Sequence, residues 1–199
     1  MDFKIVEEFE QRIAKFFGAP YAVAVDSCTH GLEICLRYLK SDKIIVPVRT
    51  YVSVPFLANK IGINMEWSHD IWEDFYFITE NIADAAVLWN KNSYITDKFM
   101  CISFQYQKHL SLGRGGAILC PNLNDYQELK KISYDGRLPN IPWRKQNIDK
   151  IGYHYYMTPE TAQLGLEKLE EAINRQPKKW KYKDWPDISK FKIFNRINL

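Results

Sequence analysis

Apolar residues recur at helical spacing over residues 3–17, where Ile5, Val6, Phe9, Ile13, Phe16 and Phe17 share one face and Gly18 is placed to end the helix. A short apolar run, Tyr21-Ala22-Val23-Ala24-Val25, then predicts a buried strand. It passes through Asp26-Ser27-Cys28-Thr29 into a second helix with Leu32, Cys35, Leu36 and Leu39 inward. Residues 43–47 predict another strand. Thr50 opens a helical stretch through Val54, Leu57, Ala58 and Ile61, with Pro55 in its first turn and Gly62 as the stop. Strand, helix, strand, helix predicts a parallel sheet covered by helices.

From 64 to 97 the pattern loosens. Met65-Glu66-Trp67 and residues 82–87 are strand candidates, the second holding Asp84, while 70–74 is acidic and aromatic. Residues 99–104 and 116–120 predict two strands in a hairpin-like element with glycines at the bend. A helix follows over 124–132 with Asn122 or Asn124 as its cap, then a loop at 139–142. Thr158 and Pro159 open a last helix through Leu164, Leu166, Leu169 and Ile173. Beyond Gln176 no element is predicted.

Composition adds bounds to this picture. The 199 residues are 46% apolar and 15% aromatic, which predicts about one ordered domain with a full core. A net charge of +3 calls for no nucleic acid. The local excess is Lys178, Lys179, Lys181 and Lys183 around Trp180 and Tyr182, read as a solvated or partner-facing tail. Cys28, Cys35, Cys101 and Cys120 lack zinc-site spacing and read as reduced thiols. The N-terminus carries acids where a secretory signal would be apolar, and no run approaches membrane-spanning length. A cytoplasmic protein with no membrane contact is expected.

The chemistry centres on Ser103-Phe104-Gln105-Tyr106-Gln107-Lys108, followed by Gly113, Gly115 and Gly116. A lysine amine can form a Schiff base with a carbonyl cofactor, and desolvation keeps it nucleophilic. A solvated loop lysine is the plainer reading of the motif alone. Ser27, Cys28 and Thr29 sit at the predicted strand-to-helix turn, where hydroxyls, backbone N–H groups and the helix dipole favour a phosphate; Ser27 or Thr29 serves equally as a helix cap.

Four stretches in order resemble the DegT/DnrJ/EryC1/StrS family of pyridoxal-phosphate-dependent sugar aminotransferases. They begin at Tyr21, at Ile45 (Ile-Val-Pro-Val-Arg-Thr-Tyr-Val), at Ser103 and at Ile151 (Ile-Gly-Tyr-His-Tyr-Tyr-Met-Thr). The resemblance implies an α/β three-layer sandwich with a mostly parallel central sheet, the large domain of a fold type I transferase, with the C-terminal small domain largely missing. It implies a catalytic domain at 1–176 and a basic, aromatic tail at 177–199.

It also implies that pyridoxal 5'-phosphate (PLP) is held by Lys108 as an internal aldimine, with Ser103, Ser27, Cys28 and Thr29 toward the phosphate and Tyr51 stacked on the ring. Asp84, before two small residues, would keep the ring nitrogen protonated. His154 stands where the family has an Asn that reaches the phosphate of a partner subunit; a packed histidine is its other reading. The implied reaction moves an amino group from an amino acid, glutamate or glutamine, to a nucleotide-linked keto-sugar, in a homodimer.

Departures from the family pattern are Cys28 for Gly, Val87 for Gln, His154 for Asn, Tyr156 for Arg, and Arg114 where an acid is common. Arg114 would meet a nucleotide phosphate or be solvated. The family also has more chain between Trp67 and Asp84 and beyond Arg175. A family-derived scaffold or interaction subunit is the alternative to an enzyme.

Overall fold

In the computed structural model, which describes residues 2–194, the expected helices form and their caps are visible. Helix α1 (Lys4–Phe17) ends on Gly18 in the left-handed region, φ 74°. Strand β1 (Tyr21–Val25) leads into α2 (Cys28–Tyr38), whose N-cap Ser27 accepts from the His30 amide. Strand β2 (Lys43–Pro47) and helix α3 (Ser53–Ile61) follow, and Gly62 closes that helix with φ 73°. Strands β3 (Asn64–Ser68), β4 (Tyr76–Phe77) and β5 (Ile82–Asp84) fill the region of weak pattern. Then come β6 (Phe99–Ser103), β7 (Gly116–Cys120), α4 (Leu123–Ser133) capped by Asn122, and α5 (Pro159–Asn174) capped by Thr158.

The central sheet has the order β1-β7-β6-β5-β4 and is mixed. Strands β5 and β6 pair in parallel, whereas β1 with β7, β7 with β6, and β4 with β5 pair antiparallel. Strands β1, β5 and β6 share one direction. Strand β7 runs against them, as the hairpin-like element expected over residues 99–120 implies, because only a hairpin loop separates it from β6 and such a connection reverses the chain; β4 runs against β5 as well. Strands β2 and β3 pair in parallel as a separate two-stranded sheet, tied to the β4 hairpin where the Ile45 amide donates to the Ile78 carbonyl at 2.8 Å.

Helices cover both faces, giving three layers. On one face α1 and α5 pack together, with Phe9, Ile13, Phe17, Met100, Phe104 and Leu169 buried between them and the sheet. A Cβ on Gly165 would come within 2.5 Å of the Phe9 ring, so this glycine sets how close the two helices lie. On the other face α2, with α3 and α4 beside it, buries Val25, Leu32, Leu36, Leu57, Ile118 and Leu129.

One buried ion pair crosses the layers. Glu10 of α1 accepts from the Ala24 amide (2.7 Å), the Lys130 ammonium (2.8 and 3.0 Å) and the Tyr126 hydroxyl (3.0 Å). Burial raises its carboxyl pKa, and Lys130 opposes that rise. The segment after α5 is not wholly solvated. Ile188 is buried and its amide donates to the Val48 carbonyl at 2.8 Å, while the Arg49 guanidinium donates to the Trp185 carbonyl at 2.5 Å. Alternation of lysines with aromatic residues reads as a wet surface in one dimension; in three, the rings turn inward and the ammonium groups stay out. Residues 195–199 of the expected tail lie outside the described residues.

Candidate active site

The site lies where the β6–β7 hairpin, the start of α2 and the end of β5 converge. Backbone pairing carries the hairpin past its strands: the Phe104 amide donates to Gly115 O at 2.9 Å and the Tyr106 amide to Gly113 O at 3.0 Å. The Lys108 amide closes a turn on Gln105 O at 2.8 Å. The lysine thus hangs from an anchored turn, and its ammonium group points into a cavity of about 500 Å³. Burial lowers its pKa from the ordinary lysine value of 10.5; Asp84 and Cys28 pull the other way.

The first turn of α2 forms one wall. Ser27, Cys28 and Thr29 all line the cavity, and the Thr29 hydroxyl shares a 2.7 Å hydrogen bond with the Ser53 hydroxyl. The opening amides of a helix have no acceptor inside it, so this turn presents N–H groups together with hydroxyls. Gly116 packs against the same turn: a Cβ there would stand 2.5 Å from the Cys28 nitrogen and 2.7 Å from the Ser27 carbonyl carbon. Only glycine allows strand β7 to approach so closely. Ser103, at the end of β6, adds a hydroxyl that is almost wholly buried.

Asp84 forms the floor, 5% exposed. Its Oδ2 accepts from the Tyr76 hydroxyl at 2.6 Å and its Oδ1 from the Ala86 amide at 2.9 Å. The Cys28 thiol lies 3.9 Å from Oδ1 and donates to the Cys101 carbonyl at 3.3 Å. Burial raises the Asp84 pKa, and Tyr76, Ala86 and Lys108 oppose the rise. A buried carboxylate facing the cavity, opposite an amine and a phosphate-type turn, matches in chemistry the three contacts a pyridine aldehyde phosphate requires.

Seven of the eight residues expected at the site, Ser27, Cys28, Thr29, Tyr51, Asp84, Ser103 and Lys108, line this one cavity. Tyr51 stands at the lip, 57% exposed, with its ring 6.4 Å from that of Trp185. The eighth, His154, does not line it. Its side chain is 71% exposed and hydrogen-bonds Asp135 through Nδ1 at 3.0 Å. Arg114 reaches the rim and forms an ion pair with Asp26 (2.7 Å), which also holds His30 through Nδ1 at 2.6 Å. The guanidinium is thus paired with Asp26 while the arginine side chain stays 70% exposed.

Sequence reasoning misses the roof. Trp180, Asp184 and Trp185 line the cavity from the C-terminal segment, and the Lys108 Nζ lies 4.9 Å from the Trp180 ring centroid and 5.5 Å from that of Trp185. It also misses Thr50 and Tyr76, which meet at the floor. The aromatic spacing 180, 182, 185 within a basic run was the available signal.

A mixed five-stranded sheet with an anchored lysine hairpin, a hydroxyl-bearing helix start and a buried carboxylate defines an α/β transferase domain of the aminotransferase type. The DegT/DnrJ/EryC1/StrS aminotransferase family model matches residues 2–93 and 90–183, and the chain belongs to that family. Solved structures agree in fold. AtS13 from Actinomadura melliaura superposes with a TM-score of 0.74 at 20% identity, over 86% of this chain and 61% of that one.

Spr1654 from Streptococcus pneumoniae, assigned as a sugar aminotransferase and solved in its PLP form, gives 0.70 at 20% identity over 84% and 59%. PseC from Helicobacter pylori, an aminotransferase involved in the biosynthesis of pseudoaminic acid, gives 0.70 at 15% identity over 83% and 57%. The chain thus spans about three fifths of the length of these structures. No helix among the described residues is long and apolar enough to cross a membrane.

Proposed function

We propose that the chain is a PLP-dependent aminotransferase that takes an amino group from glutamate or glutamine and delivers it to a nucleotide-linked keto-sugar. The observation that carries this reading is the placement of the Lys108 amine, half-buried and pKa-lowered, in one cavity with the Asp84 carboxylate and the Ser27–Thr29 turn. Bound PLP would supply the electron sink that makes an amino-acid α-proton removable.

The protein's own part follows from position. Ser103 and the α2 start would hold the phosphate end by hydroxyls, amides and dipole. Asp84 would hold a proton on the ring nitrogen, and Tyr51 offers an aromatic face at the lip. Lys108 would hold the cofactor through its amine and, when that amine is free, would be the group placed to take a proton from the substrate carbon as base and return it as acid. The Trp180 and Trp185 roof excludes water from that exchange, which strengthens every electrostatic contact beneath it.

A homodimer fits the position of His154, which is exposed and outside its own chain's cavity, open to a second copy's site. A cytoplasmic location goes with this chemistry. A second reading, a family-derived scaffold that binds PLP without turnover, is supported by Val87 and His154 standing where the family resemblance implies Gln and Asn.

The test is direct. Incubation with PLP, borohydride reduction and peptide mapping should place a stable adduct on Lys108, and its absence there overturns the cofactor reading. Glutamate should then convert the bound cofactor's spectrum to the amino form in the wild type and not in Lys108→Ala. An adduct without that conversion supports the scaffold.

A further inference from the structure

Strand β4 is only two residues long, yet its register sets Tyr76 directly opposite Asp84 across an antiparallel pair. Opposed residues project to the same face, so pairing alone brings the phenol to the carboxylate. Tyr76 is 8% exposed, and its ring packs 5.0 Å from that of Trp72. Its hydroxyl donates to Asp84 Oδ2 at 2.6 Å and also meets the Thr50 Oγ1, itself buried. A phenol has one proton, and the carboxylate takes it, so the Thr50 hydroxyl must be the donor to the Tyr76 oxygen. The result is a directed relay from Thr50 through Tyr76 to Asp84, drawn from three separate pieces of chain and lining the cavity throughout.

The two carboxylate oxygens are held differently. Oδ1 is fixed locally by the Ala86 amide two residues on, while Oδ2 depends on Tyr76. A carboxylate offers about four acceptor positions, so each oxygen keeps capacity for a further donor from the cavity. Without the phenol, the group would be held at Oδ1 alone and would sit in an apolar setting with one protein donor fewer.

We infer that Tyr76 is a positioning residue for Asp84: its hydroxyl fixes the orientation of the carboxylate that receives the cofactor's ring N–H, and Thr50 fixes the direction of that hydroxyl. The inference rests on the PLP reading for its purpose and on the hydrogen-bond geometry for its existence, and the two are separable by experiment. The charged or titratable groups facing Asp84 are Lys108, Cys28 and Tyr76 itself, with Cys101 behind them.

The experiment uses Tyr76→Phe, which keeps the ring against Trp72 and removes only the hydroxyl, with Thr50→Val and Thr50→Ser beside it. In the apoprotein, the Asp84 carboxyl carbon is followed by NMR after aspartate labelling, with Asp84→Asn to assign it. The relay predicts a higher titration midpoint in Tyr76→Phe, a smaller rise in Thr50→Val and the wild-type value in Thr50→Ser. An unchanged midpoint in Tyr76→Phe overturns the relay whether or not PLP binds.

With PLP added, Tyr76→Phe should retain the cofactor about tenfold less tightly, the scale of a lost hydrogen bond to a charged group. It should also shift the pH midpoint of the bound cofactor's absorbance. A purely structural tyrosine would lower the melting temperature and move neither midpoint, and that outcome overturns the proposal. If the wild type takes up no PLP at Lys108, the functional reading fails, and the NMR arm still decides the relay.

Discussion

The Trp180 ring centroid lies 4.9 Å from the Nζ of Lys108, and the Lys178 Nζ lies 3.9 Å from the same centroid. One indole therefore serves two ammonium groups, one lining the cavity and one from the exposed backbone beside it. Cation–π contacts of this kind contribute about 0.5–2 kcal/mol depending on desolvation. The roof is thus held in part by the amine to which the proposed function assigns the cofactor.

Replacing both indoles, Trp180→Ala with Trp185→Ala, should raise the rate at which PLP and borohydride label Lys108. A several-fold increase is expected, read by mass spectrometry against Lys15 as a surface reference. Equal rates in variant and wild type would mean that the roof stands open in solution.

The acidity of Lys108 gives a pH signature. Burial sets its folded pKa below the 10.5 of an ordinary lysine. For a base with a depressed folded pKa, the folded state binds the proton less tightly than the unfolded chain does. Stability from this group is therefore complete above the unfolded pKa and is lost as pH falls through the folded one. Lys108→Met should raise the melting temperature at pH 7, and the gain should close above about pH 10.5. Melting curves of both proteins across pH 7–11 check it.

Breaking the Glu10–Lys130 pair should be severe. Both groups are buried, and Glu10→Gln leaves the Lys130 ammonium without a counter-charge. Losing one partner of such a pair destabilises by about 3–5 kcal/mol, a large part of the stability of a domain of this size. Urea denaturation should show the midpoint falling accordingly, with Glu10→Gln/Lys130→Met recovering much of the loss.

Gly116→Ala should damage the first turn of α2, the proposed phosphate site. Its methyl would meet three backbone atoms, at Cys28, Ser27 and Ile102, and none of these can swing aside as a side chain would. A loss of about 1–3 kcal/mol is expected, the range for overpacking, together with weaker PLP retention. Gly113→Ala is the contrast: its Cβ meets nothing within 4 Å, though φ is +80°. It should lose stability through backbone strain alone and weaken cofactor retention less than Gly116→Ala does.

Much of this architecture is legible in the chain. The 3.6-residue periodicity of α1, the caps at Ser27, Asn122 and Thr158, and the glycine stops at 18 and 62 are local signals, and each lands within a residue or two of its prediction. The hairpin around Lys108 was legible for the same reason. What escaped depends on pairing between distant segments. Strand β4 has two residues and no period to read, so the Tyr76 contact with Asp84 exists only through register. The pairing of β7 with β1, strands more than ninety residues apart, is likewise not a property of Gly116 to Cys120 itself. Trp180 and Trp185 gain their place from the Arg49 contact with the Trp185 carbonyl, 136 residues apart along the chain.

Strands β6 and β7 occupy the middle of the five-stranded sheet, and the turn that carries Lys108 is the link between them. A ligand tethered to that turn is therefore fastened to two inner strands of the sheet, not to a peripheral flap. Its binding free energy should then add to the stability of the folded domain. Melting temperature should climb with ligand concentration by the logarithmic law for a ligand that binds only the native state. A simple thermal-shift titration thus becomes a gauge of site loading that requires neither turnover nor a known acceptor sugar.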